Sequence, residues 1–231
     1  LLLSAIRHGI IAHYVRPPDE LGLLSFNLTP WLYASYGIDF AVGGLNPKVA
    51  YVHHLISCVA TLAVLTMVLR RLLGAAVTAV VLVWFVLALP TSSLVLFLCM
   101  RHYVEGLLAA ALCVLAYRAY LHEKRPVHLA LSAGLYAWAM TAKEIYVPLG
   151  PLLVVHCALF FATSAPARSP SIAAQLLSRL WRACKLLWPY VILAAAYVLY
   201  RGYMLGFARL LRGYDDPKWQ TQPAMLLDFP A

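Results

Sequence analysis

The chain holds 231 residues, of which 63% are hydrophobic and 12% charged, with a mean hydropathy of +0.79. A soluble domain carries about one-quarter charged residues, so lipid must take the place of water around this much apolar surface. The formal charge of +9 does not point to nucleic acid, because the basic residues fall mainly between apolar runs, where membrane topology accounts for them.

The sequence opens on Leu1, and the apolar character of residues 1–11 is interrupted by Arg7 and His8, so it does not read as a signal peptide. Together with the polar-flanked stretch 224–231, this predicts a fragment truncated at both ends. Residues 17–48 mix Pro17, Pro18, Pro30 and Pro47 with Trp31, Tyr33, Tyr36 and Phe40. That mixture predicts an outward loop with a re-entrant or interfacial helix, its aromatics at headgroup depth.

Six apolar stretches follow that qualify or nearly qualify as membrane spans: 49–69, 74–90, 104–121, 127–142, 146–163 and 186–204. Residues 72–100 carry no charge and break at Pro90-Thr91-Ser92-Ser93, which predicts a span, a turn and a short returning helix. Residues 164–185, rich in Ala, Ser and Arg with Trp181, read as an amphipathic linker. Residues 205–231 begin another loop. The expected fold is an all-α polytopic membrane protein of about six transmembrane helices in a single domain, part of a larger bundle.

The loops alternate in charge. Arg70 and Arg71, then Arg118, Lys124 and Arg125, then Arg168, Arg179, Arg182 and Lys185 lie in alternate connections, while the intervening short loops hold Arg101 and Lys143. The positive-inside rule makes the first set cytoplasmic and turns 17–48, 91–103, 143–146 and 205–231 outward, in a multi-pass cell-membrane protein.

Few residues carry chemistry. The pair Lys143-Glu144 ends an apolar run, where an ammonium can hold a lipid-linked phosphate or simply snorkel beside its neighbour. Arg101-His102 opens the next helix; Arg101 suits bidentate phosphate recognition, or it anchors at the interface or pairs with Glu105 at i+4. Arg201 reads as an anchor that can also reach an anionic headgroup.

Asp19-Glu20 and Asp39 can act as general base or bind a divalent metal ion, or they can be a solvated turn and a carboxylate bonded to backbone. A divalent metal is the one cofactor this leaves open. His53 and His54, about 100° apart on a helix, cannot chelate one metal together and read as interface residues. The five cysteines show no metal-ligand spacing and read as buried small hydrophobes.

The run Asn27-Leu-Thr-Pro-Trp-Leu32, then Tyr36-Gly-Ile-Asp-Phe40 and Gly44-Leu-Asn-Pro47, leads into the helix of His53 and on to Leu69-Arg-Arg-Leu-Leu-Gly74. Leu89-Pro90, Arg101-His-Tyr-Val-Glu105, Ala142-Lys-Glu-Ile-Tyr-Val-Pro148 and the segment from Trp188-Pro189 to Arg201-Gly202 follow. In order and spacing these resemble GT-C membrane glycosyltransferases, above all bacterial relatives of the protein O-mannosyltransferases.

The resemblance covers most of residues 26–205. It implies an enzyme that passes a sugar from a polyprenyl-phosphate donor to an acceptor on the extracytoplasmic face. On this reading Lys143 and Arg101 are expected to meet at the outer interface and hold the donor phosphate, with Glu144 orienting Lys143, and His102 and Arg201 are further candidates for substrate binding. The catalytic acid of the family lies after its first span, which places the main base upstream of Leu1, with Asp39 as the candidate within the chain. A polytopic transporter and a non-catalytic membrane assembly subunit are the alternatives.

Overall fold

The computed structural model describes residues 9–17, 28–161 and 172–206. The described residues form helices and no strand. In chain order these are α1 (Ala12–Val15), α2 (Pro30–Gly43), α3 (Pro47–Leu73), α4 (Ala75–Leu87), α5 (Leu89–Leu96), α6 (Arg101–Glu123), α7 (Pro126–Ala142), α8 (Leu149–Phe160), α9 (Ile172–Leu186) and α10 (Trp188–Leu205). Single 3₁₀ turns at Leu98–Met100 and Glu144–Tyr146 precede α6 and follow α7.

Local chemistry fixes the boundaries. The side chain of Asn46 accepts from the amide of Lys48 at 3.0 Å and Pro47 occupies the first turn, so α3 starts with a capped end and a preset φ. Gly74 ends it at φ +78°, a left-handed conformation that a side chain would strain, and α4 begins at the next residue. The expected break near Pro90 is present: Ala88 is extended and separates α4 from α5.

Among the described residues, two helices are long and apolar enough to cross a membrane: Pro47–Leu73, with 27 residues, and Leu98–Glu123, with 26. A third crossing exists if α9 and α10 count as one, although they meet at 83°. The stretches expected at 74–90 and 146–163 correspond to α4 and α8, with 13 and 12 residues. At 1.5 Å per residue each is about 20 Å long, short of the roughly 30 Å hydrocarbon core. Extended Ala88 stops one, and the 3₁₀ turn with Pro148 delays the start of the other.

The core is built on α6. In its apolar stretch 61% of the residues are buried, against 22% in α3, which makes α6 central and α3 peripheral. α6 packs chiefly on α7, and Tyr117, Tyr136, Tyr190, Cys157 and Leu187 meet between α6, α7, α8 and α10. Each buried tyrosine hydroxyl in this group is bonded: Tyr136 donates to the Val147 carbonyl at 2.5 Å, and Tyr190 to Ser132 at 2.5 Å. Ser132 in turn donates to the Cys113 carbonyl at 2.6 Å. Outward surfaces are apolar, with Val59, Trp84, Leu87 and Leu199 exposed, as lipid contact requires.

The helix contacts define two ends. At one, the first turns of α3 and α6 meet the last turns of α7 and α10 through Ala50–Arg101, Tyr103–Tyr146 and Glu144–Arg201. At the other, α9 joins α10 and packs beside Tyr117, Tyr120 and Leu121 near the end of α6.

Candidate functional site

Three helices bring a polar group into the first of these ends. α2 carries Trp31, Ser35 and Asp39 at intervals of four, so they form one stripe. α6 carries Arg101 and Glu105 at the same interval, and the first turns of α3 supply Ala50 and His53.

Arg101 is fully buried. Its Nη1 donates to Asp39 Oδ2 and, at 3.1 Å, to Ser35 Oγ, while Nη2 donates to the Ala50 carbonyl at 2.7 Å. Tyr36 lies against the guanidinium, 4.9 Å from ring centre to Cζ. Glu105 accepts from the Trp31 indole at 2.6 Å and from Ser35 at 2.9 Å. His53 sits between the carboxylates, with Nδ1 2.6 Å from Asp39 and Nε2 3.4 Å from Glu105. The Arg101 guanidinium thus lies buried among paired and hydrogen-bonded groups, as a buried charge requires.

A second group lies where α7 stops. Lys143 breaks the helix with an extended backbone, and its side chain is 6% exposed. Its Nζ is 3.8 Å from Glu144 Oε1, while Arg201 of α10 reaches Glu144 Oε2 at 3.4 Å. Two cations thus converge on one carboxylate. Burial lowers the Lys143 pKa from its ordinary 10.5, Glu144 opposes that shift and Arg201 adds to it. Nζ also lies over the Tyr103 ring at 5.4 Å, and His102 stacks obliquely on Tyr103 at 4.3 Å.

Tyr103 has a second neighbour. A cavity of about 190 Å³ opens between α3, α5 and α6, walled by Thr61, Leu94, Tyr103, Leu107, Ile145 and Tyr146, and its lining is almost wholly apolar. Tyr146 donates to the Tyr103 carbonyl at 2.7 Å, which fixes the wall between cavity and ammonium.

The structure therefore sorts the residues expected from sequence. Lys143, Glu144 and Arg201 come together, with His102 alongside on Tyr103. Arg101 belongs instead with Asp39, and its pairing is with α2 rather than with Glu105 one turn on. His53 and His54, expected as interface residues, also have partners inside the bundle: His53 bridges Asp39 and Glu105, and His54 is fully buried, its Nε2 2.8 Å from the Leu94 carbonyl. Asp19 and Glu20 lie outside the described residues.

Trp31, Ser35 and Glu105 were not singled out as members of a site. Their common signal is polar residues repeated at intervals of four on otherwise apolar helices. Among the described residues, no group of three or more His, Cys, Asp or Glu is placed to hold a metal ion. Asp39 and Glu105 approach His53 from opposite ring nitrogens, so the three do not converge on one point.

No protein family, curated protein or solved structure matches the chain.

Proposed function

We propose that the chain is the membrane-embedded part of a glycosyltransferase that takes a sugar from a polyprenyl-phosphate donor and passes it to an acceptor at the extracytoplasmic face. The observation that carries this reading is Tyr103, which borders the Lys143 ammonium on one side and the apolar cavity on the other. A ligand suited to both joins an anionic head to a hydrocarbon chain, as a polyprenyl phosphate does.

In this reading Lys143 and Arg201 hold the donor phosphate, and Glu144 keeps the two cations in register. Attack of the acceptor hydroxyl on the anomeric carbon breaks the bond to the phosphate oxygen. Lys143 and Arg201 then stabilise the charge that grows on the leaving phosphate. Both oxygens of Asp39 are taken up by Arg101 and His53, so Asp39 serves to anchor the first turn of α6, and another carboxylate accepts the hydroxyl proton. α3, α4, α6, α7, α8 and α10 form a six-span bundle, with the shorter helices seated where the bilayer thins around them. The basic end of the bundle faces the cytoplasm of a cell membrane.

Binding of polyprenyl phosphate to the purified full-length protein, compared with the uncharged polyprenol, tests the reading. Loss of one charge-assisted contact is worth about 1.5–3 kcal/mol, so Lys143→Ala is expected to weaken polyprenyl phosphate binding roughly tenfold or more. Polyprenol binding should not change. Equal binding of polyprenyl phosphate by the wild type and Lys143→Ala would overturn the assignment. A polytopic transporter or an assembly subunit is separated by sugar transfer from the loaded donor, which only the enzyme carries out.

A further inference from the structure

α9 differs from every other helix in how its side chains are distributed. At 100° per residue, Gln175, Ser178, Arg179, Arg182 and Lys185 fall on one arc, and Ile172, Leu176, Leu177, Leu180 and Trp181 fall on the remainder. The apolar arc is not spent on the bundle. Ala183 alone is buried in α9, whereas Ile172, Leu177 and Trp181 are 75%, 69% and 62% exposed.

Its orientation is equally distinct. α9 meets α10 at 83°, so it runs across the bundle while α10 runs along it. α9 packs chiefly on α8, and Ala183 and Leu187 share one buried cluster with Tyr117, Tyr120 and Leu121 of α6, which sets α9 at the end of the bundle where α6 finishes. The last turns of α3 bring Arg70 and Arg71 to this end as well. Its only acidic residue among those described is Glu123, and that residue lies 3.4 Å from Arg125. Lys185 Nζ sits 5.0 Å over the Trp181 ring, joining the polar arc to the large aromatic of the apolar arc.

A helix of this kind, lying across the helix axes with an exposed apolar arc and a polar one whose charges are all positive, has the form that settles at a lipid headgroup boundary. Three cations and no carboxylate make it complementary to a negatively charged leaflet. We infer that α9 is a binding surface for anionic phospholipid headgroups. Arg179, Arg182 and Lys185 contact the lipid phosphates, and Ile172, Leu177 and Trp181 sink into the acyl boundary beneath. The inference does not depend on the sugar-transfer reading.

The test is native mass spectrometry of the full-length protein equilibrated with equal amounts of phosphatidylglycerol and phosphatidylcholine. The wild type should retain phosphatidylglycerol preferentially. Each of Arg179→Gln, Arg182→Gln and Lys185→Gln should lower that preference about fivefold, the effect of one cation at an anionic surface. The triple variant should show none, and added salt should weaken the wild-type preference. Arg70→Gln with Arg71→Gln, at the same end but on α3, should leave most of it intact. Equal retention of both lipids by the wild type overturns the inference, as does an undiminished preference in the triple variant. An equal loss on substituting Arg70 and Arg71 also overturns it, because the attraction would then belong to the whole face.

Discussion

Arg101, at the first position of α6, donates to Asp39 in the last turns of α2 from a site with no exposure to solvent. The two lie 62 positions apart in sequence, and the pair ties α2 to the central helix of the bundle. Its energetic meaning is asymmetric. Removing one partner strands the other as a buried charge, at a cost of about 3–5 kcal/mol, whereas replacing both with apolar groups is often close to neutral. Arg101→Met should therefore lower the thermal midpoint of the detergent-solubilised protein sharply, and adding Asp39→Leu should recover much of the loss. A double variant less stable than either single one would contradict this account.

Two glycines offer a paired test of packing. A Cβ at Gly150 would fall 2.7 Å from Tyr136 Cζ, and that ring is fully buried and held by its bond to Val147. Gly150→Ala should destabilise by about 1–3 kcal/mol, the usual cost of overpacking. A Cβ at Gly134, also helical, meets nothing within 4 Å. Gly134→Ala should stabilise by about 0.5–1 kcal/mol through backbone entropy. Denaturation midpoints of the two variants should move in opposite directions.

The Tyr190–Ser132–Cys113 chain of hydrogen bonds should behave as one unit. Ser132→Ala leaves the Tyr190 hydroxyl without its acceptor in a buried site and should cost about 1–3 kcal/mol. With Tyr190→Phe already present, the same change should cost clearly less. Strict additivity in a double-mutant cycle would show that the bond between them contributes nothing.

Lys143 gives a pH prediction with two opposed slopes. Its pKa is lowered in the folded protein, by burial first, against the ordinary 10.5 of the unfolded chain. Between the lowered value and 10.5 the unfolded chain binds more protons, so stability should rise with pH across that window. Anion binding needs the ammonium, so polyprenyl phosphate affinity should fall across the same window. Lys143→Met should flatten both profiles; stability that falls with pH there, and does so because of Lys143, would refute the sign.

The parts of this architecture legible in sequence are those set by short-range rules. α3 and α6 were readable because each joins a long apolar run to clear boundaries: Asn46 and Pro47 open α3, Gly74 closes it, and charged residues bracket α6. α4 and α8 were overestimated because the apolar character continues through Ala88 and through Tyr146–Pro148, where the backbone is outside the α-helical ladder. Lys143 and Glu144 were visible as charges ending an apolar segment, and Arg201 as an isolated charge near the end of another. Their meeting depends on how α7 and α10 pack, which no local pattern encodes. Arg101 was read against Glu105 because i and i+4 are neighbours on one helix, yet both residues find partners on α2. Only packing could show that α2 presents Trp31, Ser35 and Asp39 as a matching stripe.

The 62 positions between Asp39 and Arg101 are also an interval in time. A ribosome adding about 5–20 residues per second needs roughly 3–12 s to make Arg101 after Asp39. Throughout that interval α2 carries a carboxylate whose permanent counter-charge has not been synthesised. The segment is then best kept out of hydrocarbon, at the aqueous boundary, until α6 arrives. The order of translation thus limits the order of assembly: α2 gains its Arg101 partner no earlier than α6 is made, although it precedes α3 and α4 in the chain.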